Sequence, residues 1–270
     1  MASVLRRTLT GSAIAAGVAG LIALDQVVPG NAVVWTAAAV LAGGAALEAA
    51  AMSARRGRPI APALLLAVLA ALLATWLDMR GLLHAPPGTG WRMAVPAAAA
   101  AGVGLVLARG RPGAALYALW IGVPLALLVL WTATHGHLAL GALLVLSKVG
   151  DIAGYYGGRR FGRRHPFPNL SPGKTVEGCA FSLLAAVVAG ALLATAGAFD
   201  QVSTVATGAL AGLFINLAAQ AGDLFESAVK RQAGVKDSGH LMGASGGLLD
   251  VLDSLLFTLP VAWLGVPLLA

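Results

Sequence analysis

Charge is what this sequence has least of. Only 11% of its 270 residues are Asp, Glu, Lys or Arg, against roughly 25% in an ordinary soluble domain. With 59% hydrophobic residues and a mean hydropathy of +0.84, a polytopic membrane protein is the expected class. Cysteine is almost missing. Cys179 stands alone, which excludes an intrachain disulfide framework and a thiolate metal cluster. No repeat of solenoid length recurs, and the abundance of Ala, Leu and Gly is the compositional bias of membrane helices. The formal charge of +7 does not imply nucleic acid, because the basic residues sit in short loops between apolar runs. That distribution speaks of membrane topology and anionic head groups.

A hydrocarbon core of about 30 Å needs about 20 apolar residues per helical crossing. Nine runs qualify, near 11–28, 32–52, 60–78, 92–108, 113–133, 138–157, 178–198, 203–226 and 247–269. The first follows Arg6 and Arg7 and resembles a signal peptide, but Asp25 and Pro29 make a poor cleavage region, so it reads as a retained helix. Fifteen of the 18 Lys and Arg fall at the N-terminus or in alternate loops: Arg6 and Arg7; Arg55, Arg56 and Arg58; Arg109 and Arg111; Arg159, Arg160, Arg163, Arg164 and Lys174; Lys230, Arg231 and Lys236. Arg80 and Arg92 fall in the opposite set, and Lys148 lies inside a run. The positive-inside rule then puts the N-terminus in the cytoplasm and the C-terminus outside. The expected fold is an all-α integral membrane bundle of about nine helices. Residues 1–136 supply about five scaffold helices, and residues 137–270 supply about four catalytic helices with cytoplasmic loops. Trp76, Trp91 and Trp131 lie near span ends and fit an interfacial belt. Glu48, inside the second run, reads as a carboxylate near the cytoplasmic end beside Arg55 and Arg56.

The ionisable residues gather in the C-terminal half. Lys148 and Asp151 are three apart and share a helix face, either as a pair or as part of a site; Tyr155 and Tyr156 follow. The polar stretch 157–178 reads as a positive-inside loop at Arg163 and Arg164. It ends in Ser171, Pro172, Gly173, Lys174 and Thr175, with Glu177 opening a helix. A flexible turn, a cation and helix-start amides are phosphate-binding parts, although the spacing is not that of a P-loop. Asp223, Glu226 and Lys230, at spacings of three and four, share one face with Ser227 beside them. Asp250 and Asp253 repeat the spacing in the last run. Four carboxylates on two membrane helices are expensive and mutually repulsive without cations. Lys230 and Arg231 supply part of the neutralisation, and Mg²⁺, which takes hard oxygen ligands and bridges phosphates, would supply the rest. His240, in a glycine-rich loop, reads as solvated.

These residues carry a resemblance. Ser227, Lys230, Arg231, Lys236 and Asp237, then Gly246, Gly247, Asp250, Asp253 and Ser254, follow the spacing of the phosphatidate cytidylyltransferase (CDP-diacylglycerol synthase) signature. Asp151 with Tyr155, the block Ser171, Pro172, Lys174, Thr175, Glu177 and Gly178, and the block Gly222, Asp223, Glu226 and Ser227 resemble the same family in order and spacing. The resemblance covers about residues 140–260. The sequence departs from the family at Ser245, where a His is usual, and at Val251, where an Arg is usual. Both changes remove groups that bond phosphate.

The resemblance implies Mg²⁺-dependent transfer of a cytidylyl group from CTP to phosphatidate, giving CDP-diacylglycerol and pyrophosphate, at the cytoplasmic face of the inner membrane. K⁺ or Mn²⁺ would be a compatible second cation. On that basis Asp223, Asp250 and Lys230 are the catalytic candidates, and Asp223, Asp250, Asp253 and Glu226 the metal ligands. Ser171, Lys174, Thr175, Glu177, Ser227, Arg231, Lys236, Asp237, Asp151 and Tyr155 would meet substrate. The partners are CTP, phosphatidate and membrane lipids, with no nucleic acid; small residues such as Gly43 and Gly44 permit a homodimer. An ion-coupled transporter is the rival class, since intramembrane acids also mark ion pathways, but no inverted repeat with paired broken helices is present. A family member with altered substrate or without turnover is the third reading.

Overall fold

The computed structural model describes residues 2–82, 89–109, 112–199, 204–243 and 246–269, with side chains left aside at 2–11, 89–91 and 268–269. Ser245 and Arg111 lie outside the described residues, as do the side chains of Arg6, Arg7 and Trp91. Eight α-helices are described: α1 (Ala2–Val27), α2 (Ala32–Arg55), α3 (Ala61–Met79), α4 (Thr89–Leu107), α5 (Pro112–Phe161), α6 (Val176–Thr195), α7 (Val205–Gln232) and α8 (Leu249–Gly265). Among the described residues, five helical stretches are long and apolar enough to cross a membrane: 29–55, 61–79, 112–161, 176–195 and 205–232. Residues 12–27 and 92–107 form shorter apolar helices. The fifth and sixth runs of the sequence share α5, which has 50 residues. At Gly136 its backbone leaves the helical region, with φ 81° and ψ 176°, a conformation open almost only to glycine.

The chain divides into two compact units. The first comprises residues 1–137 and 232–252, the second residues 138–231 and 253–270. In the first unit, α3 packs against both α2 and α4. The buried face of α2 is mostly alanine (Ala38, Ala42, Ala45, Ala46 and Ala49), and α3 answers with Leu64, Ala67, Val68, Ala71 and Leu72. Small residues let helix backbones approach, which is how membrane helices gain packing energy without a hydrophobic drive. Asp25, 2% exposed, caps α2 from the preceding helix. Its Oδ1 accepts from Val33 N at 2.8 Å and Val34 N at 3.1 Å, and its Oδ2 lies 2.8 Å from His137 Nε2.

In the second unit, glycines set the helix contacts. A Cβ at Gly178 of α6 would meet the Gly154 carbonyl of α5, and one at Gly212 of α7 would meet the Ala186 carbonyl of α6. Gly222 of α7 sits equally close to the backbone of Asp253 in α8. The last contact matters most for function, because it brings the acidic turn of α7 beside Asp253. Leu184, Val188 and Leu192 of α6 are exposed, as expected of a helix facing lipid.

Candidate carboxylate and lysine centre

Three elements of the second unit carry the acids. On α7, spacings of three and four place Asp223, Glu226 and Lys230 on one face. Asp253 lies on α8 and Asp151 on α5. One carboxylate oxygen from each of Asp223, Glu226 and Asp253 lies within 4.8 Å of the other two. Glu226 is fully buried and Asp253 is 8% exposed, so their charges are not screened by bulk water.

Each acid of this triad has a lysine. Lys174 Nζ lies 2.5 Å from Asp223 Oδ2, Lys230 Nζ lies 2.6 Å from Glu226 Oε2, and Lys148 Nζ lies 3.6 Å from Asp253 Oδ1. Lys148 also reaches Asp151 Oδ2 at 3.7 Å, so the expected pair on α5 forms and extends to α8. Ser254 completes the link. Its hydroxyl lies 3.2 Å from Asp151 Oδ2 and 2.9 Å from Asp253 Oδ1, with Lys148 Nζ at 3.4 Å. Four acids thus face three lysines. By formal charge the three lysines offset three of these four carboxylates.

The loop before α6 delivers Lys174. Thr175 is the N-cap of α6, its Oγ1 accepting from Gly178 N at 3.0 Å. Glu177 is half-buried and accepts from Arg163 N at 3.0 Å and Arg164 N at 3.3 Å, which folds residues 162–175 back onto the helix start. Arg231 Nε donates to the Leu170 carbonyl at 3.3 Å, tying α7 to the same loop. Ser171 contributes its carbonyl to a turn closed by Lys174 N at 3.1 Å. Ser227 is buried on α7. Tyr155 is exposed, and its hydroxyl accepts from Arg159 at 3.1 Å.

Asp250, Lys236 and Asp237 belong to the first unit. Lys236 and Asp237 are exposed. Asp250 Oδ2 accepts from Ser238 N at 2.9 Å, Gly247 N at 2.7 Å and the Ser238 hydroxyl at 3.0 Å. Glu48 differs from expectation. It is 7% exposed, and its carboxylate accepts from Ser238, Leu248 and Leu249 instead of facing Arg55 and Arg56. Backbone amides some 200 residues away in sequence outcompete the nearby arginines, and helical spacing alone gives no sign of them.

The donor set of the triad is all carboxylate oxygen, the chemistry that Mg²⁺ and similar hard cations select. The residues fit such an ion.

Apolar helices that carry a partly buried carboxylate and lysine centre are those of an all-α membrane protein with a polar site. The chain matches the sequence model of the cytidylyltransferase family over residues 6–269, and it belongs to that family. It is 42% identical over 126 residues to the uncharacterized protein YnbB of Escherichia coli, a match covering 47% of this chain and 41% of that protein. It is 39% identical over 127 residues to the phosphatidate cytidylyltransferase of Mycobacterium bovis, covering 47% and 40%. With the phosphatidate cytidylyltransferase of Helicobacter pylori it shares 40% identity over 126 residues, covering 45% and 44%. The matched part spans less than half the length of these relatives.

Proposed function

We propose that this protein is an integral membrane nucleotidyltransferase that transfers the cytidylyl group of CTP to phosphatidate. The observation that carries the reading is the triad of Asp223, Glu226 and Asp253 with a lysine on each acid. Family membership and the two relatives named phosphatidate cytidylyltransferase support the choice of substrates. A phosphate oxygen of phosphatidate attacks the α-phosphorus of CTP. The bond from that phosphorus to the bridging oxygen breaks, and pyrophosphate leaves with the electron pair. Such a transfer needs charge neutralisation and alignment more than a covalent nucleophile.

Asp223, Glu226 and Asp253 would hold Mg²⁺, which when bound supplies positive charge to the phosphate oxygens and the leaving pyrophosphate. Asp250 is a further ligand candidate. Lys174, Lys230 and Lys148 offset the repulsion between the acids before substrate arrives. When triphosphate binds, the same ammonium groups would exchange a carboxylate for phosphate oxygens, since a lysine is a flexible point charge. Asp151 and Ser254 orient Lys148. Thr175 and Glu177 shape the loop that presents Lys174. The exposed Arg231, Lys236, Asp237 and Tyr155, the half-buried Ser171 and the buried Ser227 would meet nucleotide or head group.

The nine apolar runs, counted with two in α5, make nine crossings. The N-terminus is then cytoplasmic and the C-terminus outside, with the site at the cytoplasmic face of the inner membrane. That side suits the chemistry, because CTP is soluble and phosphatidate is not.

The test is purified protein in detergent with phosphatidate, Mg²⁺ and CTP labelled at the α-phosphate. Lipid-extractable label is expected, with loss on adding EDTA and a fall of at least about 100-fold in Asp223→Asn, the size expected for removing a group that stabilises transition-state charge. Full turnover in Asp223→Asn protein would remove the triad from the mechanism.

A further inference from the structure

We propose that Glu48 is a positioning residue, which docks the polar residues around Ser238 together with Leu248 and the first turn of α8, and thereby sets Asp250. Its role in turnover rests on the function proposed above; its role in docking does not.

Glu48 sits on α2 among buried alanines, a costly place for a carboxylate without partners. Its partners come from the far end of the chain. Oε1 accepts from Leu248 N at 2.8 Å, and Oε2 accepts from Leu249 N at 2.9 Å and from the Ser238 hydroxyl at 2.7 Å. Leu249 N is one of the four amides that the start of α8 leaves without a helical acceptor, and Leu248 N precedes it. A negative charge at that point also meets the positive end of the helix dipole. Glu48 is therefore the N-terminal cap of α8, supplied from another helix.

Asp250 shares the arrangement through Ser238. The Ser238 hydroxyl lies within hydrogen-bond distance of both Glu48 Oε2 and Asp250 Oδ2, and one hydroxyl proton serves the two carboxylates. Ser238 N and Gly247 N both donate to Asp250 Oδ2. The Asp250 side chain is thus held on two sides by the segment that Glu48 anchors.

The space around Glu48 is built by glycine. A Cβ at Gly239 would stand 2.5 Å from Glu48 Oε1, and one at Gly247 would stand 2.5 Å from Oε2. Gly44, one turn earlier on α2, leaves room for the Leu248 side chain. Three glycines from two distant parts of the chain thus shape one cradle for one acid. An anchoring charge beside Arg55 and Arg56 would need none of them.

The test uses hydrogen exchange by mass spectrometry on the purified full-length protein in detergent, with Glu48→Ala and Glu48→Gln, alongside the cytidylyl transfer assay. Exchange over residues 233–250 is expected to quicken at least about 10-fold in Glu48→Ala and less in Glu48→Gln, with α3 and α6 unchanged. Turnover is expected to fall at least about 10-fold in Glu48→Ala, chiefly in kcat, with partial recovery in Glu48→Gln. Unchanged exchange, or faster exchange throughout the chain, would overturn the docking role. Faster local exchange with wild-type kcat would overturn the positioning role. A wild-type protein without transfer activity would defeat the proposed function, and the exchange result would still decide whether Glu48 docks the segment.

Discussion

At the scale of single residues, the lysines decide what the acids do. Lys174 neutralises Asp223 across a direct ion pair in which both side chains are only partly exposed. Removing the cation leaves the triad more negative and should attract Mg²⁺ more strongly in the absence of nucleotide. With an effective dielectric near 20, partial screening and relaxation reduce the gain to about 3- to 10-fold in affinity. Lys174→Met should therefore bind Mg²⁺ more tightly yet turn over more slowly, because the ammonium is lost to the phosphates. Calorimetric Mg²⁺ titration paired with the transfer assay reads both. Weaker Mg²⁺ binding in the variant would mean that the lysine does not compete for Asp223. Spacing pointed to Asp223 and Glu226, three apart on α7, and to Asp253 on α8, but it also paired Asp253 with Asp250, which lies in the first unit. Their cations were less legible. Lys174 and Asp223 are far apart in sequence and on different elements, and helical periodicity relates only residues on one element. Glu48 stood out as a membrane acid, but its partners belong to a helix start that the sequence places at the other end of the chain.

Among the elements, α5 and α7 depend on glycine for different reasons, and the two reasons predict different costs. Gly136 interrupts α5 with φ 81° and ψ 176°, and a Cβ there would meet no atom within 4 Å. The cost of Gly136→Ala is therefore backbone strain alone, about 1–3 kcal/mol. At Gly212 a Cβ would strike the Ala186 carbonyl and the Val187 backbone, so Gly212→Ala must push α6 and α7 apart. Gly212→Ala should lower the thermal midpoint for loss of monodisperse protein in detergent by more than Gly136→Ala does. The reverse order would mean that the helix contact adapts more readily than the kink. The sequence told roughly where the apolar runs lie: each overlaps a described helix, and 32–52, 113–133 and 138–157 lie wholly inside one. It did not tell that two of them share α5, since His135, Gly136 and His137 read as a loop between runs while helix continues on both sides. The start of α6 was legible because Thr175 and Glu177 have the chemistry of a helix start, and Thr175 does cap it.

For the whole molecule, the open question is which face of the membrane carries the chemistry, and the basic residues bear on it directly. Arg159, Arg160, Arg163, Arg164 and Lys174 flank the end of α5 and the start of α6, while Lys230 and Arg231 close α7. With these loops cytoplasmic, the centre at Asp223 and Glu226 opens toward soluble nucleotide. At about 1.5 Å per residue a continuous α5 would run about 75 Å, more than twice a hydrocarbon core of about 30 Å. With its break at Gly136, α5 would supply two crossings under the proposed topology, and the total would then be odd. An odd number puts the two ends on opposite sides. Alkaline phosphatase, which is active only outside the cytoplasm, should therefore be active when fused after Ala270 and inactive when fused after Gly234. Green fluorescent protein at the same two points should give the opposite pattern. If phosphatase were active after Gly234, Lys230, Arg231 and Lys236 would lie outside, against the positive-inside rule, and the carboxylate centre would face away from CTP. If it were inactive at both points, α8, the described α-helix that lies between them, would not cross. The cytoplasmic site would then survive on an even count of helices.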